Sequence, residues 1–300
     1  MKASVVLCVL MLLAPLAAHA ETWRPATLVQ AEMREMQSRH TGRHYRLYLS
    51  KPQGEAPPQG YPVVYVLDAN LFFPLLAQQA LMYQPHATRD GREAVLVVGI
   101  GYPGDGPFDI PARAEDYTPP APGMCDTGDQ PAARHGGAER FLDFLEEEVK
   151  PLVAARYKVD AQRQTLFGHS YGGLFTVYTL LARPQAFQSY FAASPSLWWN
   201  RRQLFDQLQG FSLPAGAAAR LLLSVGAAEQ PEPGAPLADE RQRQLAQRCM
   251  VDNARELQQA MAARGVLSEL RLQPGADHAG NAFFSAVQVL DFALQRPAGR

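Results

Sequence analysis

The distribution of polar and apolar residues along the chain predicts a series of β-strands. Residues 44–49 alternate between the two types, which predicts a half-buried strand near the edge of a sheet. Residues 63–67 and 95–100 are continuous apolar runs rich in valine, the pattern of parallel strands that helices cover on both faces. Further strand candidates occur at residues 164–167, 189–192, 221–225 and 267–272.

Segments with helical spacing lie between or after these strands. They predict helices at residues 71–83, 141–149, 174–182, 239–264 and 281–294. Pro74 should fall in the first turn of its helix, and Pro151 should break or kink the chain after residue 149. The alternation of strands with helices predicts an α/β fold with an open, mostly parallel, doubly wound sheet and helices on both faces. The glycine- and proline-rich residues 101–137 predict a long functional loop without regular structure.

The first twenty residues have the features of a secretory signal peptide. Lys2 precedes an apolar run at residues 5–18, and small residues, Ala18 and Ala20, stand at the −3 and −1 positions before Glu21. A membrane anchor is the alternative, but the run is shorter than the roughly 20 residues that a span needs. We therefore expect residues 1–20 to be removed on export by the Sec pathway, which leaves a soluble periplasmic protein of residues 21–300.

Composition and charge limit the classes of protein to which this chain can belong. The 300 residues suit one globular domain, and 47% hydrophobic with 19% charged residues are enough for a packed core. The formal charge of −1 argues against a nucleic acid partner, because such partners are held by a positive field. No integral membrane segment is expected in the mature chain.

A Gly-x-Ser-x-Gly motif lies between a predicted strand and a predicted helix. Gly168, Ser170 and Gly172 would form a nucleophile elbow, in which glycines allow a strained turn and the serine projects above the carboxyl edge of the sheet. The N-terminus of the following helix would place N–H groups near a developing oxyanion. The motif alone is weak evidence, and its position between strand and helix is what indicates a serine nucleophile.

An elbow serine needs a base, and the chain order of this fold is serine, acid, histidine. His278 follows the last predicted strand and precedes the last helix, so it is the candidate base. Glu229 follows the strand at residues 221–225 and is the candidate acid, which would orient the histidine. Glu232 is close by, and a serine–histidine dyad without an acid remains open.

The backbone N–H groups of Tyr171 and Asn70 are the candidate oxyanion donors. Asn70 follows the strand at residues 63–67, and Asp68 and Asn70 could equally be plain turn and cap residues. No His-x-x-x-His or Cys-x-x-Cys spacing occurs, so neither a metal site nor a cofactor is expected.

Several longer motifs resemble those of the esterase D-like α/β-hydrolases, and within these the periplasmic esterases that open the trilactone of catecholate siderophores such as enterobactin and salmochelins. The motifs are YVLDAN at 65–70, RAEDYTP at 113–119, GGAERFL at 136–142, GHSYGG at 168–173, SPSLWW at 194–199 and DH at 277–278. The resemblance implies the α/β-hydrolase fold and a catalytic pair of Ser170 and His278, often described in this branch without a strong third acid.

The resemblance also implies a function: hydrolysis of a ferric catecholate siderophore in the periplasm, which aids iron release. Trp198 and Trp199 could stack on catechol rings, and Arg113 or Arg134 could meet the negative charge of the ferric complex. Alternatively the tryptophans pack the sheet edge and the arginines are solvated. Two other functions stay open, a general exported carboxylesterase for acetylated or short acyl esters and a siderophore-binding protein without activity.

Cys125 and Cys249 are the two cysteines of the mature chain, and an oxidising compartment favours a disulfide between them over two free thiols. Such a bond would close a long loop and contribute about 4 kcal/mol to stability. We expect a maleimide probe to label no thiol of the mature protein under denaturing, non-reducing conditions, as read by mass spectrometry. Two labelled thiols would contradict the disulfide.

Overall fold

The computed structural model describes residues 26–52, 56–83, 93–121 and 134–295. The predicted signal peptide at residues 1–20 and the predicted disulfide partner Cys125 lie outside the described residues. Cys249 is half-buried, and its Sγ lies 3.0 Å from the carbonyl oxygen of Ala246. The disulfide therefore stays a prediction.

One eight-stranded sheet forms the centre of the molecule, in the order β1-β2-β4-β3-β5-β6-β7-β8. Pairs β1/β2 and β2/β4 are antiparallel, and all other neighbours are parallel. The strands are β1 Ala31–Gln37, β2 His44–Ser50, β3 Tyr61–Leu67, β4 Leu96–Gly101, β5 Val159–His169, β6 Ser189–Ala193, β7 Arg220–Gly226 and β8 Leu267–Gln273. The predicted mostly parallel sheet is confirmed. Strand β1 was not predicted, because this edge strand is largely exposed and rich in polar residues.

Helices cover both faces of this sheet, as predicted. They are α1 Ala69–Tyr83, α2 Ile110–Asp116, α3 Ala138–Phe144, α4 Lys150–Arg156, α5 Tyr171–Ala182, α6 Trp199–Gln209, α7 Glu240–Arg248, α8 Met250–Ala262, α9 His278–Ala286 and α10 Val289–Leu294. Side chains of α1, α9 and α10 form one apolar cluster against the sheet. Those of α2 to α6 and of α8 form the cluster on the other face. Strands β3 and β4 are buried along their whole length, which explains their continuous apolar runs.

The structure differs from the sequence-based expectation at two predicted helices and one predicted loop. The predicted helix at residues 239–264 is two helices, because Cys249 adopts a left-handed conformation with φ 46°. The helix predicted at 281–294 is also divided, into α9 and α10. The loop at 101–137 contains α2, whose start is capped by the side chain of Asp109 accepting from the N–H of Ala112 at 3.0 Å.

Two prolines lie within helical segments. Pro74 is the sixth residue of α1, so the helix begins before the position expected from the sequence. Pro151 lies at the start of α4, directly after a π-helical turn at Leu145–Val149 that joins it to α3. A π-turn shifts the hydrogen-bond pattern by one residue, and the chain therefore passes Pro151 without breaking the helical path. None of the helices in the described part of the chain is long and apolar enough to cross a bilayer.

A carboxyl group lies in the larger core cluster. Asp116 is buried at the end of α2 and accepts hydrogen bonds from the hydroxyls of Tyr45 at 2.8 Å and Tyr102 at 3.1 Å. Burial raises the pKa of Asp116 to about 6, although the Arg43 charge and these hydroxyl donors act in the opposite direction. The group therefore binds its proton more tightly in the folded than in the unfolded chain.

This shift predicts a specific pH dependence of stability. The contribution of Asp116 is complete below about pH 4 and is lost as the pH rises through about 6, because only the folded chain keeps the proton in that window. Relative to an Asp116→Asn variant, the free energy of unfolding of the wild type should fall by about 2 kcal/mol between pH 4 and pH 7. Urea denaturation across this range measures the difference, with the exposed Asp105→Asn variant as the control. A difference that does not change with pH would refute the shift.

Candidate active site

Ser170 lies at the turn between β5 and α5, as the motif predicts. Its backbone has φ 60° and ψ −117°, a strained conformation that holds the side chain at the carboxyl edge of the sheet. The turn is so tight that a Cβ on Gly168 would lie 2.2 Å from the carbonyl oxygen of Gly172. Glycine at position 168 is therefore a steric requirement of the elbow.

The chain makes a similar turn after the neighbouring strand β3. Strands β3 and β5 are parallel, with Val66 opposite Phe167 in register. Asp68 follows β3 with φ 51°, and α1 begins at the next residue. The N–H groups in the first turn of a helix have no acceptor within that helix. The N–H groups of Asn70 and Tyr171 therefore come from adjacent helix starts at one edge of the sheet, as two oxyanion donors would require.

The structure brings together the candidate base and the candidate acid. Nδ1 of His278 lies 2.6 Å from Oε2 of Glu229. A carboxylate oxygen can only accept, so Nδ1 carries the proton and Nε2 of the neutral ring is left with a free lone pair. Glu229 is 1% exposed, whereas the nearby Glu232 is exposed. Of these two alternatives, the geometry therefore assigns the orienting role to Glu229.

Three hydrogen-bond donors surround the carboxylate of Glu229. Oε1 accepts from the hydroxyl of Ser194 at 2.6 Å and from the N–H of Gly226 at 2.7 Å, and Oε2 accepts from His278. A buried carboxylate is costly unless it is hydrogen-bonded, and these donors offset that cost. The acid is thus held in one orientation toward the imidazole.

His169 connects the elbow to the segment that carries the base. Its Nε2 donates to the carbonyl oxygen of His278 at 3.0 Å, and the two imidazole rings lie 4.5 Å apart. Burial lowers the pKa of His169 well below its usual range, and the neighbouring His278 and Arg113 lower it further. His169 is therefore neutral at physiological pH and fixes the position of the His278 backbone.

The hydroxyl of Ser170 lies 3.5 Å from the hydroxyl of Ser196. The N–H of Ser196 also donates to the carbonyl oxygen of Ser170 at 3.2 Å, so the segment after β6 packs directly against the elbow. This is the segment of the SPSLWW motif at 194–199. The sequence analysis used that motif as a sign of family and took Trp198 and Trp199 from it as substrate-binding candidates, but it did not identify Ser194 or Ser196 as site residues.

Two of the predicted substrate-binding residues are in the interior of the protein. Arg113 belongs to α2 and donates two hydrogen bonds to the carboxylate of buried Asp68, at 3.0 and 2.9 Å. Its charge is balanced there, so the expectation that it meets an anionic substrate is corrected. Trp199 is 1% exposed and belongs to the core, which leaves no ring face for a catechol. The packing alternative considered in the sequence analysis therefore describes Trp199, whereas Arg113 is neither solvated nor free to meet substrate, because it is buried against Asp68.

The other two predicted substrate residues have at least part of their surface exposed. Trp198 is half-buried, and the guanidinium carbon of Arg248 lies 4.3 Å from its ring centroid. Arg134 is exposed at the start of the segment that leads to α3. These two residues therefore remain candidates for contact with substrate.

A cavity of about 290 Å³ lies beside Asn70, and sequence reasoning did not predict it. Its walls combine apolar and polar residues, and Phe108 is 37% and Ile110 is 59% exposed. The guanidinium carbon of Arg113 lies 5.2 Å from the centroid of the Phe108 ring. The lining residues are Asn70, Tyr102, Pro103, Gly106, Phe108, Asp109, Ile110 and Pro111. The described residues include no cluster of His, Cys, Asp and Glu that could hold a metal ion.

The site therefore contains a strained serine, a histidine fixed by a buried carboxylate, and two helix starts. This arrangement serves nucleophilic attack on an ester carbonyl, since it combines a nucleophile, an oriented base that contacts the neighbouring His169, and candidate oxyanion donors.

Comparisons with known proteins agree with this chemistry. Residues 38–284 match the family described as "Putative esterase". The chain is 36% identical over 272 residues to a ferri-bacillibactin esterase of Bacillus subtilis, which covers 88% of each protein. It is also 36% identical over 240 residues to a siderophore enterobactin esterase of Emericella nidulans, covering 75% of this chain and 78% of that protein.

The fold agrees with solved structures as well. Siderophore hydrolase EstB from Aspergillus nidulans superposes with a TM-score of 0.77 at 27% identity, and the match covers 93% of this chain and 100% of that one. The α/β-hydrolase fold, the serine site and the length of the matches lead to one conclusion: the chain belongs to the putative esterase family and is a serine hydrolase of carboxylic esters.

Proposed function

We propose that this esterase hydrolyses the trilactone of catecholate siderophores, such as enterobactin, and so aids the release of their iron. The observation that carries the proposal is the orientation of His278 by Glu229 beside the elbow serine, in a chain whose relatives are siderophore esterases. Iron would be cargo carried by the substrate. Opening the ring weakens the chelate, because the three catechols are no longer held on one scaffold.

The proposed acylation step gives each candidate residue of the site one role. Nε2 of His278 accepts the proton of the Ser170 hydroxyl, and the alkoxide attacks a lactone carbonyl carbon. The N–H groups of Tyr171 and Asn70 stabilise the negative charge on the carbonyl oxygen. Glu229 stabilises the imidazolium that forms. When the tetrahedral intermediate collapses, the ester C–O bond breaks and His278 returns the proton to the leaving alkoxide.

Deacylation repeats these steps with water as the nucleophile. His278 accepts a proton from water, the hydroxide attacks the acyl carbon, and Ser170 leaves with the proton that His278 returns. Each cycle consumes one water and opens one ester bond. Three successive cycles would convert the cyclic trilactone to its separate acylated serine units.

The cavity beside Asn70 supports an aromatic substrate. Its size and the exposed side chains of Phe108 and Ile110 suit one aryl arm, and its lining includes Asn70, whose backbone N–H would bind the carbonyl oxygen. Phe108 offers an exposed ring for stacking, whereas Arg113 is paired with Asp68. An aryl arm bound there would hold its ester at the oxyanion donors.

A periplasmic location is part of the same proposal. It is supported by the signal-peptide features of residues 1–20.

The first test is direct cleavage. Purified protein should convert ferric enterobactin to linear products that chromatography separates, and Ser170→Ala should bind the complex without cleaving it. A fluorophosphonate probe should label the wild type at Ser170 and leave this variant unlabelled. An intact trilactone together with rapid hydrolysis of short acyl esters would favour a general carboxylesterase. Iron release that is unaffected by Ser170→Ala would indicate a binding protein.

A second test concerns the cavity. Phe108→Ala should lower kcat/KM for the trilactone by about 5- to 20-fold, through a higher KM, because the lost apolar contact is worth about 1–2 kcal/mol. Hydrolysis of vinyl acetate should hardly change, since this ester has no aryl group to place in the cavity. Met33→Ala, which removes an exposed apolar side chain from edge strand β1, is the matched control. Equal effects of Phe108→Ala on both substrates would exclude a role of the cavity in aryl recognition.

A further inference from the structure

A chain of buried polar side chains continues from Glu229 into the protein interior. Nδ2 of Asn281 donates to Oγ of Ser194 at 2.7 Å, and that hydroxyl donates to Oε1 of Glu229 at 2.6 Å. His278 donates to the other carboxylate oxygen at 2.6 Å. Asn281 and Ser194 are 0% exposed. The acid is therefore bonded to the base on one side and to a buried serine on the other.

The direction of each hydrogen bond in this chain is fixed. An amide nitrogen can only donate, so Oγ of Ser194 is the acceptor in its bond with Asn281. The single hydroxyl proton of Ser194 then points to the carboxylate of Glu229, which can only accept. The chain thus presents a fixed donor to Glu229, and no reorientation is needed when charge develops on His278.

The bond from Ser194 also restricts rotation of the carboxylate. Oε1 is tied to both Ser194 and the N–H of Gly226, so Oε2 remains directed at Nδ1 of His278. Without the Ser194 hydroxyl, one N–H would hold Oε1, and the carboxylate could turn away from the imidazole. A carboxylate that does not hold Nδ1–H allows the other ring tautomer, in which Nε2 cannot act as a base.

The backbone of Ser194 adds an independent observation. Ser194 has φ 42°, a conformation in which glycine would be less strained, and its N–H donates to the carbonyl oxygen of Ser224 at 2.7 Å. Strain of this kind persists at sites where the surroundings fix the residue for function. Glycine would relieve the strain but would lack the hydroxyl that Glu229 accepts from.

Asn281 links this chain to the base by a second route. It lies on α9, which begins at His278, and its own N–H donates to the carbonyl oxygen of Asp277 at 2.8 Å. The same helix therefore supplies the imidazole and the amide that directs Ser194 toward the acid. Any shift of α9 would move both groups together.

We propose that Ser194 and Asn281 are positioning residues of the esterase, which act on His278 through Glu229. The inference rests on the proposed function only for the serine-hydrolase chemistry and not for the siderophore as substrate. In this proposal, activity depends on the full triad of Ser170, Glu229 and His278, and the hydrogen bonds of Ser194 and Asn281 hold its acid in place.

The test is a double-mutant cycle between Ser194→Ala and Glu229→Gln. Two readouts that need no siderophore are used, the rate of labelling by a fluorophosphonate probe and kcat/KM for p-nitrophenyl acetate. Ser194→Ala alone should lower both by about 10- to 100-fold, mostly in kcat, because the base loses its orientation. In the Glu229→Gln background the same change should cost less than about 2-fold, since the residue through which Ser194 acts is already neutralised.

Further variants separate positioning from folding. Ser194→Gly lacks the hydroxyl but removes the strain at φ 42°, so it should fold at least as well as Ser194→Ala and show the same loss of activity. Asn281→Asp keeps the side-chain volume but competes for the Ser194 proton, and it should also lower kcat. Thr179→Val, which removes a buried hydroxyl that bonds only within α5, is the matched control and should keep wild-type activity.

The inference would be overturned if the fluorophosphonate probe labelled the Ser194→Ala and Ser194→Gly variants at the wild-type rate. An equal fold-loss in the wild-type and Glu229→Gln backgrounds would also overturn it, because it would indicate a structural effect that does not pass through the acid. Thermal unfolding shows whether each variant is folded. If Ser194→Ala is not folded, the activity of Ser194→Gly provides the test. The wild type could fail to cleave a trilactone while the double-mutant cycle gives the expected result. That outcome would reject the siderophore as substrate and leave the positioning role of Ser194 and Asn281 supported.

Discussion

The active site depends on the parallel pairing of four neighbouring strands. Because β3, β5, β6 and β7 run in one direction in adjacent positions, their carboxyl ends meet at one edge of the sheet. Asp68, Ser170 and Ser194 each follow a strand end directly, and each has positive φ. Glu229 lies three residues beyond the end of β7. The register of the sheet therefore sets the distances between the nucleophile, the acid and their supports.

The strained turns at this edge have a clear energetic basis. A non-glycine residue in such a conformation costs about 1–3 kcal/mol. Hydrogen bonds at each turn hold it in place: the N–H of Ser170 donates to Ala193 at 2.9 Å and that of Ser194 to Ser224 at 2.7 Å. These bonds run from one strand end to the next, so the turns stabilise one another. The sheet and the two apolar clusters supply the stability that keeps the site in its strained form.

Charge is distributed unevenly between the interior and the site. In the interior, Arg113 and Asp68 balance their charges through two hydrogen bonds. At the site, Glu229 is satisfied by donors of which only His278 can carry a positive charge. The negative charge of the acid is therefore directed at the imidazole, where positive charge develops during the reaction. The buried polar side chains that hold Glu229 are connected in this way to the base that takes part in the reaction.

The sequence by itself determined the fold class, the elbow serine and the position of the histidine along the chain. These follow from local patterns: apolar runs mark covered strands, and Gly168 and Gly172 mark a turn that tolerates no side chain. Only the tertiary structure decided between Glu229 and Glu232 as the acid. It also placed Arg113 and Trp199 in the interior, and it brought Ser194 and Asn281 into the hydrogen-bonded chain behind the acid. Those outcomes depend on contacts between residues far apart in the chain. Burial and pairing are properties of the packed sheet and helices, and no local pattern of residue types encodes them.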